Sequence, residues 1–203
     1  MATLAAVKAR IADEINRTDL TTQIGYAVSD AIKLYQARRF RFNQARSSFS
    51  TTNGAEFYTT STIPDDIAEI DSLRLTVNGR YVTLDRWSFR VMEDVASTTS
   101  TEAQPRAWAW YAQQIRLYPI PDAAYTLTIS YLQKIDEPAE GASNVWTDEA
   151  GALIRHAAKR IVLADVLQDG QAAGLCAQAE ALEYRRHQTE AQQLETGGLR
   201  GSM

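Results

Sequence analysis

Cysteine is almost absent from this chain. Its 203 residues include one, Cys176, which excludes an internal disulfide framework and a thiolate metal cluster. The single thiol fits assembly in a reducing cytosol. Histidine is nearly as scarce. His156 and His187 stand 31 positions apart, and no carboxylate pattern of the H-E-x-x-H kind surrounds either. Both read as solvated or partly packed helix histidines, so no metal site is expected. Long apolar runs are missing too, and MATLAAVKARIADEI at the start carries a charge every few residues. That pattern excludes a secretory signal and a helical membrane span, and the expectation is a protein made and kept in the cytoplasm or released other than by secretion. Glycine-rich phosphate loops are absent as well, because neither TTNGAE nor LQDGQAAG matches a nucleotide-binding pattern. No cofactor is expected.

What is present is ordinary in bulk and uneven in placement. With 45% hydrophobic and 23% charged residues, the chain can build a real core as one large domain or one domain with a sizeable insertion. Net charge is −4, but residues 1–46 hold eight Lys/Arg against four Asp/Glu, and residues 47–104 hold four against nine. A basic leading part and acidic later parts point to complementary surfaces between copies or partners. The stretch PRAWAWYAQQIRLYPIPDAAYTLTISYL, residues 105–132, holds two of the four tryptophans and four of the nine tyrosines, with no His, Cys or Glu. It is aromatic surface with little reactive chemistry beside it.

Helical periodicity dominates both ends of the chain. Leu4, Val7, Ile11 and Ile15 make one stripe, and Ile24, Ala27, Val28, Ala31 and Tyr35 make a second. Thr18 or Asp19 is the predicted cap of the second helix, with Arg38 and Arg39 in its last turn, where the dipole favours cations. From residue 47 the period becomes alternating. SSFSTTNGAEFYTT predicts two strands about Asn53–Gly54, and DSLRLTVNGRYVTL predicts a hairpin about Asn78–Gly79. Residues 85–96 predict a short helix through Trp87, Val91 and Val95. AWAWYA and IRLYPIP predict strands folded about Gln113–Gln114, ended by Pro119 and Pro121, and AYTLTISYL a third strand of the same small antiparallel sheet. Thr147 or Asp148 then starts a helix carrying Leu153, Ile154, Ala157, Ile161 and Val162, which Asp169–Gly170 stops. A last helix, about 171–194, is predicted to face inward through Leu175, Ala179, Leu182 and Leu194.

The predicted fold is α+β: a helical bundle from the N- and C-terminal helices with an inserted antiparallel β domain. The predicted divisions are 1–46 and 135–195 for the helical body, 47–134 for a β-rich insert with one short helix, and 196–203 for a flexible tail.

Two clusters could carry chemistry. Asp65, Asp66, Glu69 and Asp71 crowd IPDDIAEID; a glycosidase needs two carboxylates facing across a cleft, and one short segment reads better as a solvated acidic edge. RRFRFNQAR interleaves Arg38, Arg39, Arg41 and Arg46 with Phe40 and Phe42. That interleaving can clamp nucleic acid, yet in an acidic chain it reads better as arginines meeting an acidic neighbour while the phenylalanines plug the core. No catalytic residue is assigned.

The order of motifs resembles the head–tail adaptor (tail accessory, or head-completion) proteins of tailed bacteriophages, especially the short-tailed kind. NRTDLTTQIGYAVSDAI, FRFNQAR, GAEFYTT, DDIAEIDSLRLTVNGRYVTL, QQIRLYPIPDAAYTLTISYL and NVWTDEAGALIRHAAK carry it. The resemblance implies a non-enzymatic virion protein at the head–tail junction, assembled in the host cytoplasm. It implies a dodecameric homo-oligomeric ring under the portal protein, extending the DNA channel and docking a tail hub or nozzle protein. Duplex DNA would pass without specific binding, and no membrane is involved. Arg38, Arg39, Arg41 and Arg46 become the candidate subunit interface. The C-terminal segment, with Leu194, Leu199 and Arg200, becomes the candidate portal contact. The competing expectations are a virion-associated peptidoglycan-degrading enzyme and a DNA-binding packaging factor.

Overall fold

A computed structural model describes residues 2–98 and 101–196. The fold is α+β, and the chain divides into two compact units: Met1–Asn43 with Ile135–Met203, and Gln44–Lys134.

The first unit is helical. Helix α1, Leu4–Glu14, is capped by Thr3, whose hydroxyl accepts from the Ala6 amide. Helix α2, Thr21–Gln36, begins after Leu20 without a side-chain cap, a correction to the predicted cap. The Asp19 carboxylate is instead taken by the Arg17 guanidinium through two hydrogen bonds of 2.8 Å, which hold its pKa down at about 2. Because α2 ends at Gln36, Arg38 and Arg39 lie past it rather than in its last turn. Short α4, Val145–Asp148, is capped by Asn144, with Thr147 completing a reciprocal capping box; the predicted starters, Thr147 or Asp148, both sit inside this helix. Helix α5, Gly151–Ile161, runs on through a π turn, Val162–Val166. The last helix, α6, spans Gly170–Thr196.

The predicted stripes of α1, α2 and α5 form one core. Val7, Ile11, Ile24, Val28, Leu153, Ile154 and Val162 are all buried in it, with Phe40 and Trp146. Helix α6 differs from expectation. Its buried side chains are Ala173, Glu180, His187 and Ala191, while Leu175 and Leu182 are exposed. Two residues are 200° of helical turn, so the predicted face points away from the real seam.

The second unit is two sheets and a helix. One sheet has the order β1-β8-β3-β4, with β1 Gln44–Ser50, β3 Ile67–Val77, β4 Arg80–Thr83 and β8 Thr126–Gln133. The other has the order β2-β7-β6-β5, with β2 Phe57–Tyr58, β5 Asp85–Arg86, β6 Ala107–Tyr111 and β7 Gln114–Tyr118. Leu73, Leu75, Leu127 and Ile129 of the first sheet meet Trp108, Ile115 and Leu117 of the second in one core. On the other face of the second sheet, helix α3, Phe89–Thr98, buries Met92 with Ala107 and Ala109.

The β3–β4 hairpin turns at Asn78 and Gly79, both at positive φ, with Val77 opposite Arg80, as an Asn-Gly turn should. Four expectations need correction. The strands around Asn53–Gly54 do not pair with each other: β1 pairs β8 and β2 pairs β7. The β6–β7 hairpin turns at Ala112 and Gln113, and β8 belongs to the opposite sheet. In α3 the buried residue is Met92 while Val91 is exposed, and Trp87 lies ahead of the helix, its amide held by the Trp108 carbonyl at 2.9 Å.

Candidate interaction surfaces

The RRFRFN segment is shaped by one buried side chain. Asn43 accepts from the Phe40 amide at 2.8 Å and donates to the Arg38 carbonyl at 2.7 Å. This knot turns Phe40 inward against Trp146, at 5.7 Å between ring centres, and stacks it on Phe42 at 5.0 Å. Arg38 and Arg41 are left exposed. Arg41 meets Glu149 of the same unit at 3.1 Å, a pair exposed enough to contribute about 1 kcal/mol at most. Arg46 is in β1, in the other unit, with its guanidinium 5.6 Å from the centre of the Tyr81 ring. Arg38, Arg39 and Arg41 therefore share one unit and Arg46 belongs to the second. Sequence reasoning missed Asn43, which directly follows the aromatic-basic run and ties its turn.

The acidic segment is put to structural use at Asp66. Its carboxylate accepts from the Tyr131 hydroxyl at 3.1 Å and the Gln133 amide at 2.6 Å. Burial first, and then this carboxylate, push the Tyr131 phenol up to about 12. Asp65 and Glu69 are exposed. Among the described residues no three His, Cys, Asp or Glu side chains gather as a metal site. His187 packs edge-on to Phe40, 5.7 Å between centres. His156 has its Nδ1 buried without a hydrogen-bond partner among the described residues, and burial, with Lys159 and Arg155 nearby, lowers its pKa.

Two charge clusters were not legible as such. In the β unit, Arg116 is ion-paired with Glu56 and with Glu93, its guanidinium 5.1 Å from the Phe57 ring and 5.6 Å from Phe89. Phe89 in turn stacks on exposed Tyr111 at 4.4 Å. In the helical unit, Glu14 receives Arg10 at 3.0 Å, Lys159 at 2.7 Å and Arg155. Burial alone would raise the Glu14 pKa, but the hydrogen bonds from Lys159 and Arg10 bring it below its ordinary value of 4.5. A depressed carboxylate stabilises the fold above its unfolded pKa, and that contribution is lost as pH falls through the folded one. Glu14→Gln should therefore destabilise the helical unit at neutral pH and flatten its stability profile below pH 4.5; chemical denaturation across acid pH checks this.

The surfaces are built of packed aromatics, spent carboxylates and exposed arginines, and a scan against protein families gives them a context. A family model described as SU10 adaptor protein matches residues 2–201. The chain belongs to the SU10 adaptor protein family. It is thus a phage adaptor, a virion component with a structural head–tail role. As an adaptor it interacts with other virion components. Among curated proteins, none matches the chain. Among the adaptor's described residues no helix is long and apolar enough to cross a membrane. Leu194 falls near the end of α6, but its side chain, with Leu199 and Arg200, lies outside the described residues, as does the tail predicted at 196–203 beyond Thr196.

Proposed function

We propose that this adaptor assembles as a dodecameric ring beneath the portal protein, extends the DNA channel, and presents the docking surface for a tail hub or nozzle protein. The observation that carries the reading is the family match over residues 2–201. A net charge of −4 supports passage of duplex DNA without specific binding, since strong phosphate contacts would retard it. The reading places assembly in the host cytoplasm and the finished ring at the head–tail junction. It assigns no catalysis to the chain. The C-terminal segment, with Leu194, Leu199 and Arg200, is assigned to the portal.

Arg38, Arg39 and Arg41 of the helical unit and Arg46 of the β unit are the proposed subunit-interface residues. Replacing all four with Ser should weaken ring assembly several-fold while leaving the monomer folded, because Arg41 meets Glu149 as an exposed pair and exposed pairs contribute little to stability. Unchanged assembly would remove them from the interface. The reading as a whole is tested by light scattering of the chain mixed with its phage's portal protein. The expected result is a complex heavier than the portal by close to one chain per portal subunit. Two unshifted species would count against the adaptor reading, and an activity on peptidoglycan would replace it.

A further inference from the structure

The sheet β1-β8-β3-β4 has two faces of different chemistry. Its inward positions are apolar, with Phe49, Leu73, Leu75, Leu127 and Ile129 in the core of the β unit. Successive residues of a strand point to opposite faces, so one outward row runs Ser48, Thr128, Arg74, Thr83 across the four strands. The rows on either side bring Arg46 and Tyr81, and otherwise only serines and threonines. Over these three rows the face offers two guanidiniums and a field of hydroxyls, with no carboxylate. Asp71 and Glu69 come only past Ser72, where the pairing of β3 with β8 slips at one end of the face. Arg46 and Tyr81 stand on the two edge strands and meet over the sheet, the guanidinium 5.6 Å from the ring centre. With Ser47, Ser48 and Thr128 they bound an open recess of about 330 Å³. Neither Arg46 nor Arg74 meets a carboxylate among the described residues.

We propose that this face takes the phosphodiester backbone of duplex DNA, with Arg46 and Arg74 on phosphates and the surrounding hydroxyls donating to their oxygens. Arginine, serine, threonine and tyrosine are side chains that contact phosphate oxygens without reading sequence. Charge complementarity selects the occupant. A single carboxylate from a protein would satisfy one guanidinium and leave the field of hydroxyls unused, whereas a backbone brings a repeating series of anionic acceptors. In a chain of net charge −4, two cations per copy make a contact that holds DNA weakly and releases it. The proposal rests on the adaptor reading for the presence of DNA. It is additional to the interface role proposed for Arg46, and Arg74, which is outside that set, reports on it alone.

The test is a titration of the isotope-labelled chain with a short mixed-sequence DNA duplex at low salt, read from its amide resonances. Shifts are expected to gather on β1, β3, β4 and β8, and the affinity to fall about 60-fold for each tenfold rise in salt, as two phosphate contacts require. Arg74→Ser should cut that fall to about eightfold, and Arg46→Ser with Arg74→Ser should abolish the shifts. Both side chains are exposed, so the variants should fold as the parent does. Arg90→Ser with Arg185→Ser removes the same charge from exposed positions elsewhere and should change little. An equal loss from that control would mean diffuse attraction and would overturn the proposal, as would shifts away from this sheet or none at all. Poly-glutamate moving the same amides as strongly would overturn it in favour of an acidic protein partner. The two readings fail separately. Full addition to portal particles without DNA contact removes this face and leaves the adaptor role. DNA contact with no added mass on the portal does the reverse.

Discussion

Arg160→Met should lower the stability of the helical unit by about 3 kcal/mol, the lower end of the range for leaving a buried charge unpaired, because Arg160 itself is half-buried. Glu180 is the reason. Its side chain is 9% exposed, and Arg160 reaches it with Nε at 2.5 Å and Nη2 at 3.3 Å. The Tyr35 hydroxyl donates the only other hydrogen bond described for that carboxylate, at 2.6 Å. Burial first, and then that bond, raise the Tyr35 phenol above its ordinary pKa. Methionine keeps most of the arginine's volume and removes the charge, so the loss reports an unpaired buried carboxylate. The double variant Arg160→Met with Glu180→Met should recover most of it, since replacing both members of such a pair by apolar groups is often close to neutral. Urea denaturation followed by the far-UV helical signal measures both. A single-variant loss below about 1 kcal/mol would mean that water reaches Glu180 and the seam of α6 is held otherwise.

Trp146→Ala should cost about 3–5 kcal/mol, as large-to-small changes of buried aromatics do. The indole is 1% exposed and donates from Nε1 to the Ile135 carbonyl at 2.9 Å. It stands edge-on to Phe42, 5.3 Å between centres, as well as to Phe40. Alanine leaves a cavity beside rings held by Tyr35 of α2 and by Tyr184 and His187 of α6, which limits how far they can close on it. The β unit has a separate core, so its tertiary signals should persist where the helical signal is lost. Simultaneous loss of both at one denaturant concentration would show instead that the units unfold as one.

Several elements could be read in advance because one local rule fixed them. The stripes of α1, α2 and α5 follow helical spacing, and the turn at Asn78–Gly79 needs two residues tolerant of positive φ. Phe40 and Phe42 were expected to plug the core, and they do, beside Trp146. Other features were decided by choices with no local signal. Alternation in β8 tells which residues share a face, and it cannot tell that the strand leaves the β6–β7 hairpin for the opposite sheet. Asp19 looked like a cap because its residue type caps helices, but Arg17 lies two positions away and takes the carboxylate.

The last helix shows the division most plainly. Its composition marks it as a helix, and its leucines mark Leu175 and Leu182 as the face to bury. Burial went to Glu180 and His187, because Arg160 of α5 and Tyr35 of α2 stood ready to bond Glu180, and the Phe40–Phe42 pair beyond α2 packs edge-on to His187. The same is true of Arg116, which an isolated strand gives no reason to place between two carboxylates and two rings. The sequence by itself determined the α+β class, the helical periods and the order of motifs that marks a phage adaptor, because these depend on short-range spacing. Tertiary structure alone decided strand partners, the seam of α6 and the partners of each buried charge. A buried polar group is tolerated only where another part of the chain supplies its hydrogen bonds, and short-range spacing holds no record of that.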